Sequence, residues 1–480
     1  MRCTAPGTLP LVLLLAVAAS TAAAPGQRSG QTLESGVREH VIELQRIANR
    51  NGGTRLAGTP GYDASARYVA RRMRAAGYRV QLQEFTVPLV VDRAPPTLRD
   101  VDSRAWRFRS ERDYATLSYS GSGRVEARVV AVDLVVPSPR ANTSNSGCES
   151  ADFAGFPQGA VALLQRGSCF FRVKVENAIA AGARAVVVFN EGGGQTDLFR
   201  GTLGAPQARI PALAASFAVG NELRNGVDSG PTGVTVALSA DVVAERRRTT
   251  NVVAEGKTGN ARNIVAVGAH LDSVAFGPGI NDNASGSAVV LEVAERLARE
   301  RTRNRLRFVW WGAEEEGLLG SRDYVGRLSR AARTRIALYL NFDMVGSPNF
   351  VRFVYDGDNS SSGRTPAPPG SAPIERVFER YYASRDLPYR ETGMGGSDHL
   401  SFVNAGIPVG GLFTGADGTK SEAEARDFGG RAGAPHDPCY HRACDTIRNL
   451  SWPALTDAAR AALHVTTTFA RDTSSVRRAR

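Results

Sequence analysis

Asn263–Asp282, NIVAVGAHLDSVAFGPGIND, is the stretch that decides how this 480-residue chain is read. Asn263–Gly268 is a short apolar run rich in β-branched residues, the pattern of a buried strand, and it delivers His270 and Asp272 at its carboxyl end. Gly- and Pro-rich turns then carry the chain to Asp282. Two further runs end in the same way: Leu306–Trp311 leads through Gly312-Ala313 to Glu314-Glu315-Glu316, and Ile336–Phe342 leads to Asp343. In an open α/β sheet the ligand crevice lies beyond the carboxyl ends of the strands, so acids and a histidine that finish separate strands converge in space.

Taken singly, a His-x-Asp or a run of glutamates is ordinarily surface charge or a satisfied turn. Here the acids all follow apolar strands, where an unpaired carboxylate is costly unless a cation compensates it. Imidazole with several carboxylates suits zinc, with manganese or cobalt as weaker candidates. An aspartate, having two oxygens, can bridge two ions that share a water.

The motifs GAHLDS (Gly268–Ser273), NDNASG (Asn281–Gly286), WGAEEEGLLGS (Trp311–Ser321), NFDMVGSPN (Asn341–Asn349), GGSDHLSF (Gly395–Phe402), GLFTG (Gly411–Gly415) and CYHRACD (Cys439–Asp445) span nearly all of the C-terminal half. In order and spacing this set resembles the M28 family of co-catalytic zinc aminopeptidases. The resemblance implies that His270 and Asp343 hold one zinc, that Glu315 and His441 hold the other, and that Asp282 bridges them. It also implies Glu314 as general base, Asp272 as the acid that orients the imidazole of His270, and Tyr440 as the hydroxyl that stabilises the tetrahedral oxyanion. Met344 and Phe413 match positions lining the pocket for the amino-terminal side chain, which implies a preference for large hydrophobic residues such as Leu. One departure stands out: Gly396 precedes Ser397-Asp398-His399 where some close bacterial relatives carry Arg, which implies weaker affinity or broader specificity without a change of reaction class. A calcium site is not inferable from these motifs.

The implied fold is α/β, a mixed and mostly parallel sheet flanked by helices. From about Tyr114 to Ala240 the texture changes to short strands with Gly/Pro/Ser turns. There Cys148, Asp152-Phe153, Gly159–Leu164, Arg166–Phe171 and Ala180–Ala183 resemble a protease-associated (PA) domain, a mainly β insertion carrying no metal or nucleophile constellation of its own. The expected organisation is a signal peptide over residues 1–24, the first part of the peptidase over 25–110, the PA insertion over 111–245, the catalytic part over 246–472 and a frayed basic tail over 473–480. Val90–Arg99, rich in Pro and charge, reads as a connector. Leu9–Ala19 followed by the small residues Ser20–Ala24 reads as a secretory leader, too short to span a membrane.

Four cysteines remain beyond the leader, an even count that favours disulfides in an exported protein, and local pairing gives Cys148–Cys169 and Cys439–Cys444. A zinc–thiolate site is the weaker alternative, because neither pair has C-x-x-C spacing. The formal charge of +12 is spread along the chain with no basic block interleaved with aromatics, so nucleic acid is excluded as a partner. Two function classes remain. One is a secreted, monomeric dizinc aminopeptidase acting on peptides with a free amino terminus. The other is a receptor-like protein that kept the M28 and PA folds without catalysis, or a carboxypeptidase-like or glutaminyl-cyclase-like relative. Inactive relatives lose metal ligands, whereas all five positions, the base and the tyrosine are filled here.

Overall fold

The structure, a computed structural model, describes residues 1, 31–102, 105–139, 143–193, 196–204, 206–361 and 365–480. The leader assigned to residues 1–24 lies outside the described residues apart from Met1. Helix α1 (Leu33–Arg50) is opened by Thr32, whose side chain accepts the Ser35 N–H, and it buries the stripe Val37, Val41, Leu44, Ile47. Helix α2 (Pro60–Ala76) starts on a proline, pre-set for a first helical turn, and stops at Gly77 in the left-handed region (φ 97°).

Strand β1 (Arg79–Asp100) then runs straight through the segment whose composition suggests a connector. The inserted module follows: β2 (Tyr114–Thr116), β3 (Gly123–Ala131), β4 (Val161–Gln165), α3 (Phe171–Ala180), β5 (Ala185–Phe189), β6 (Ala212–Ala215) and α4 (Phe217–Arg224). Strands β3 to β6 are parallel neighbours, and β2 closes their far edge antiparallel to β6. Strand β7 (Gly230–Glu255) returns antiparallel along β1, from Asp100↔Val236 to Arg79↔Glu255. That long pairing is why Val90–Arg99 is a strand: its backbone groups find ladder partners despite the prolines, at the cost of register shifts around Ala94. The boundary expected at 245/246 falls inside β7, because one ribbon serves both the module and the sheet that carries the site.

The remainder comprises β8 (Asn260–His270), α5 (Gly286–Leu297), β9 (Asn304–Trp311), α6 (Leu319–Gly326), α7 (Arg330–Arg335), β10 (Ile336–Phe342), β11 (Phe353–Tyr355), α8 (Ala372–Ala383), β12 (Arg390–Thr392), α9 (His399–Val403), β13 (Val409–Phe413), α10 (Glu422–Phe428), α11 (Trp452–Arg471) and α12 (Ser474–Ala479). The strand order here is β12-β11-β13-β10-β8-β9-β7, with β13, β10, β8 and β9 mutually parallel. Helices α1, α2, α5, α8 and α11 cover one face through Val41, Val69, Val289, Phe378 and Val465, while Trp311, Tyr339 and Phe402 build the core of the other. The chain leaves β8 toward β9 on one side, whereas β10 sits on the other side of β8 and leads away to β13. This reversal is the topological switch point where open sheets place their ligands, and His270 ends one of its strands while Asp343 follows the other.

The C-terminal residues do not fray. Val476 is fully buried, and Arg477 donates to the Asn263 side chain and to the carbonyls of Thr334 and Arg335, so the segment docks as α12. Sequence composition registers its arginines but not the apolar residue that anchors it. Val476→Ala is expected to cost about 1–2 kcal/mol, from roughly 0.8 per buried CH₂ plus a cavity term, measured by chemical denaturation. An unchanged midpoint would mean that the tail is not docked.

Candidate metal centre

Two imidazoles and a shared carboxylate organise the site. His270 Nε2 lies 3.2 Å from Asp282 Oδ1 and 3.2 Å from Asp343 Oδ1. His441 Nε2 lies 3.2 Å from Asp282 Oδ2 and 3.1 Å from Glu315 Oε2. Thus each oxygen of Asp282 faces a different imidazole, and each imidazole faces one further acid. Glu314 joins His270 and Glu315 in a third group whose ligand atoms lie within 4.8 Å of one another. All five residues assigned as ligands, with the assigned base, are therefore brought together from four separate stretches of chain.

The electrostatics call for cations. Burial and the neighbouring Glu315, Asp343 and Asp398 hold the Glu314 carboxyl well above its ordinary range, outweighing His270. Burial and Asp282 raise Glu315 as well. Burial works against charging His270 and His441, yet Asp343 and Glu314 around the first, and Glu315 and Asp282 around the second, raise both far above an ordinary imidazole. So many acids sharing so few compensating charges is the arrangement that a metal relieves. The spacing fits too: two donors each about 2.0–2.1 Å from a tetrahedral zinc lie roughly 3.3 Å apart.

The supporting residues explain why the loops hold this shape. Asn251 of β7 accepts the Gly312 N–H at 3.1 Å and donates to the Gly320 carbonyl at 2.9 Å, clamping both ends of the loop that bears Glu314 and Glu315. Asp272 sits behind the pair, with one oxygen 3.5 Å from His270 Nδ1 and the other accepting the Glu315 N–H at 3.3 Å. Ser397 donates to Asp343 Oδ2 at 2.6 Å, and Asn283 bonds the Phe342 carbonyl and the Gly286 and Met344 N–H groups across the switch point. Gly286 is required there, since a Cβ would stand 2.1 Å from the Phe342 carbonyl oxygen. A Cβ at Gly396, by contrast, would meet open space.

Several supporting groups were not legible in the sequence. Asp445 accepts the N–H groups of Asn281 and Asp282 at 2.8 and 3.0 Å, fixing the backbone at Asp282, while Asp437 accepts from Asn281 and Asn449. Burial and Asp437 push Asp445 up to about 7. Arg55, wholly buried, donates to the carbonyls of Leu271, Pro278 and Gly279, so it stitches the turn after β8. Asp398 is buried, and desolvation with Asp272 and Asp343 raises it to about 8, against the opposing pull of His270 and Ser321. Asp398 and Asp445 lie inside the motifs quoted above, but Arg55 follows an unremarkable Gly-Gly-Thr turn and carries no signal.

Both disulfides, Cys148–Cys169 and Cys439–Cys444, are present, and the second closes the loop that carries Tyr440 and His441. The Tyr440 ring stacks on His441 with centroids 3.8 Å apart. Met344 is buried next to Asp343, and Phe413, at the end of the neighbouring β13, stacks on Phe353. A cavity of about 210 Å³ opens beside Glu315, Glu316 and His441; its walls include Leu89, Val242 and Phe276, and the inserted module closes it with Tyr119, Arg200 and Thr202. Arg200 lies over the Phe276 ring at 4.4 Å, and Arg166 pairs with Asp417 at 2.8 Å, so the module is tied to the site's rim.

The profile of Peptidase family M28 matches residues 251–466, and that of the PA domain matches residues 125–223. An aminopeptidase of Pseudomonas aeruginosa is 46% identical over 428 residues, covering 88% of this chain and 78% of its own. The chain belongs to peptidase family M28. A probable leucine aminopeptidase 2 of Aspergillus oryzae is 39% identical to this M28 chain over 427 residues, with 88% and 81% of the two chains covered. Among solved structures, the zinc aminopeptidase BSAP of Bacillus subtilis superposes with a TM-score of 0.68 at 25% identity, over 91% of this chain and 95% of its own.

Asp445→Ala should free the backbone beneath Asp282 without removing a donor atom from the site. The expected result is a loss of about 10–100-fold in metal affinity with the fold intact, read by competition with a chromogenic chelator and by circular dichroism. Affinity equal to that of the unaltered protein would show that the Asp282 loop holds itself.

Proposed function

We propose that this M28 chain is a secreted aminopeptidase that binds two zinc ions through His270, Asp282, Glu315, Asp343 and His441. On this reading it removes large hydrophobic residues such as Leu from peptides and proteins with a free amino terminus. The chain is a metallo-aminopeptidase, in keeping with its family and with relatives aligned along most of their length. The observation that carries the two-ion reading is Asp282, whose oxygens serve two separate His–carboxylate sets. One chain supplies every donor, so a monomer suffices.

Bound zinc would supply the acidity that makes a water nucleophilic at neutral pH, and the polarisation of the peptide carbonyl. The chain's residues do the rest. Glu314, held by the Asn251 clamp, accepts a proton from the attacking water on a carboxylate oxygen and returns it to the leaving nitrogen. The Tyr440 hydroxyl donates to the oxygen that gains charge as the carbonyl becomes tetrahedral. Asp272 holds the tilt of His270. Glu314 and Asp343 offer the substrate ammonium acidic partners while repelling a terminal carboxylate, and Met344 and Phe413 border the place of the first side chain.

Export is supported by the two disulfides and by the leader-like start of the sequence; among the described residues no helix is long and apolar enough to cross a membrane. The leucine preference is supported by the name of the Aspergillus relative. The division into peptidase segments over 25–110 and 246–472 around a PA insertion over 111–245 is supported by the profile matches at 125–223 and 251–466.

Glu314→Gln is expected to keep its full zinc content while turnover falls about 10²–10⁴-fold, whereas Glu315→Gln should lose zinc. Elemental analysis with steady-state kinetics checks both, and the opposite pattern would exchange the two roles. Leu-Gly-Gly should be cleaved and its N-acetyl form left intact when followed by chromatography. Comparable hydrolysis of the two would sink the aminopeptidase assignment.

A further inference from the structure

A buried lysine in the inserted module faces a disulfide instead of a carboxylate. Lys174 of α3 is 0% exposed and forms no ion pair among the described residues. Its ammonium donates to the Ser146 carbonyl and lies 3.5 Å from Cys148 Sγ. The Ser168 hydroxyl stands 3.8 Å from the same sulfur. Among the described residues no hydrogen bond is directed at Cys169 Sγ, so the two halves of the Cys148–Cys169 disulfide differ in their surroundings.

A buried charge is costly unless a partner compensates it, and a disulfide sulfur is only a weak acceptor. Burial lowers the Lys174 ammonium to about 8, with Asp152 and Glu191 pulling the other way. A thiolate on Cys148 supplies the anionic partner that the lysine lacks. The surrounding chain is pinned by bonds that do not depend on the disulfide. Asn177, on the same helix as Lys174, donates to the Gly147 carbonyl at 3.1 Å, and the Ser168 N–H donates to the Ser144 carbonyl at 2.8 Å. Gly167 permits that approach, since a Cβ there would stand 1.7 Å from the Ser144 oxygen. The ammonium is thus held beside Cys148 by contacts that survive when the sulfur–sulfur bond opens.

We propose that Cys148–Cys169 is a site of thiol–disulfide exchange, at which a small thiol becomes bonded to Cys169 while Cys148 departs as a thiolate held by Lys174 and Ser168. The incoming thiol loses its proton to solvent, and its thiolate attacks Cys169 Sγ. The Cys148–Cys169 bond breaks as the new sulfur–sulfur bond forms, and the electron pair leaves on Cys148 Sγ. The sulfur of the added thiol is thereby oxidised to a disulfide and Cys148 is reduced. An ammonium beside the departing sulfur lowers the pKa of the thiol it becomes, and a thiol of lower pKa leaves faster. Both cysteines are half-buried, within reach of a small molecule. Opening the bond releases one tether of the turn after β4, which bears Arg166, the partner of Asp417 at 2.8 Å. The exchange therefore takes place beside the module's tie to the rim of the metal centre.

The test incubates the zinc-loaded full chain with reduced glutathione at about pH 7, below the ordinary thiol pKa. The reaction is quenched with acid, free thiols are alkylated, and the peptides are mapped by mass spectrometry. Glutathione is expected on Cys169 and the alkyl group on Cys148, with Cys169 favoured about tenfold or more as the attacked sulfur. Lys174→Met puts an apolar chain in place of the buried charge; it should slow adduct formation about tenfold and abolish the preference for Cys169. Cys439–Cys444, whose sulfurs accept no bond from a cationic side chain among the described residues, is the internal control and should react alike in both proteins. If Lys174→Met fails to fold by circular dichroism, the site of the adduct in the unaltered protein still decides. Glutathione mainly on Cys148, or no adduct on either cysteine of the pair, would overturn the proposal. So would equal rates and the same site in the folded variant.

Discussion

The structure depends on one electrostatic constraint: a parallel sheet ends in a buried cluster of carboxylates whose mutual repulsion a cation relieves. Asp282, Glu314, Glu315 and Asp343 crowd His270 and His441 where little water can screen them. Much of the surrounding architecture serves to hold these groups in place. Asn251, Asn283, Ser397 and Asp445 direct hydrogen bonds at the loops that carry them, and Arg55 ties down a turn from behind. A polar network of this kind is stable only when every member is satisfied, which is why so many asparagines and serines lie buried here.

The sequence made the fold's centre legible because strand ends and chemistry coincide. Apolar runs that finish on His270, Glu314 and Asp343 are visible as strands and as donors at once, and their convergence follows from the general behaviour of α/β sheets. The five residues assigned as ligands lie together at the ends of these strands and their loops. What escaped was governed by distant partners. Val90–Arg99 carries prolines and charge, and only the presence of β7 makes it a strand. Residues 473–480 display arginines, and only a cavity shaped by other elements reveals that Val476 has somewhere to go. Arg55 is an arginine in a turn until the carbonyls it satisfies are known.

The inserted module contributes no group to the acid cluster, yet it walls the cavity beside it. Its Tyr119, Arg200 and Thr202 form one side of the cavity beside Glu315 and His441, opposite Phe276. The wall is thus assembled from two parts of the chain that fold around different cores. The wall can vary there without touching the residues of the acid cluster, since loops on a rigid scaffold tolerate change.

The ribbon of β1 and β7 also bears on how this chain reaches its native state. It brings Arg79 beside Glu255, at the stretch of β7 that also pairs with β9, so the two ends of the intervening segment meet where the sheet carrying the site begins. Closing so long a loop from an unstructured chain is an entropic toll paid before most contacts reward it. The module's own core holds Leu98 with Val236 and Leu238, beside the Asp100–Val236 end of the pairing, and each further pair toward Arg79 and Glu255 then closes only a few additional residues. The insertion is thereby a clip as well as a wall: with its core complete, each further step of the β1–β7 pairing adds only neighbouring residues.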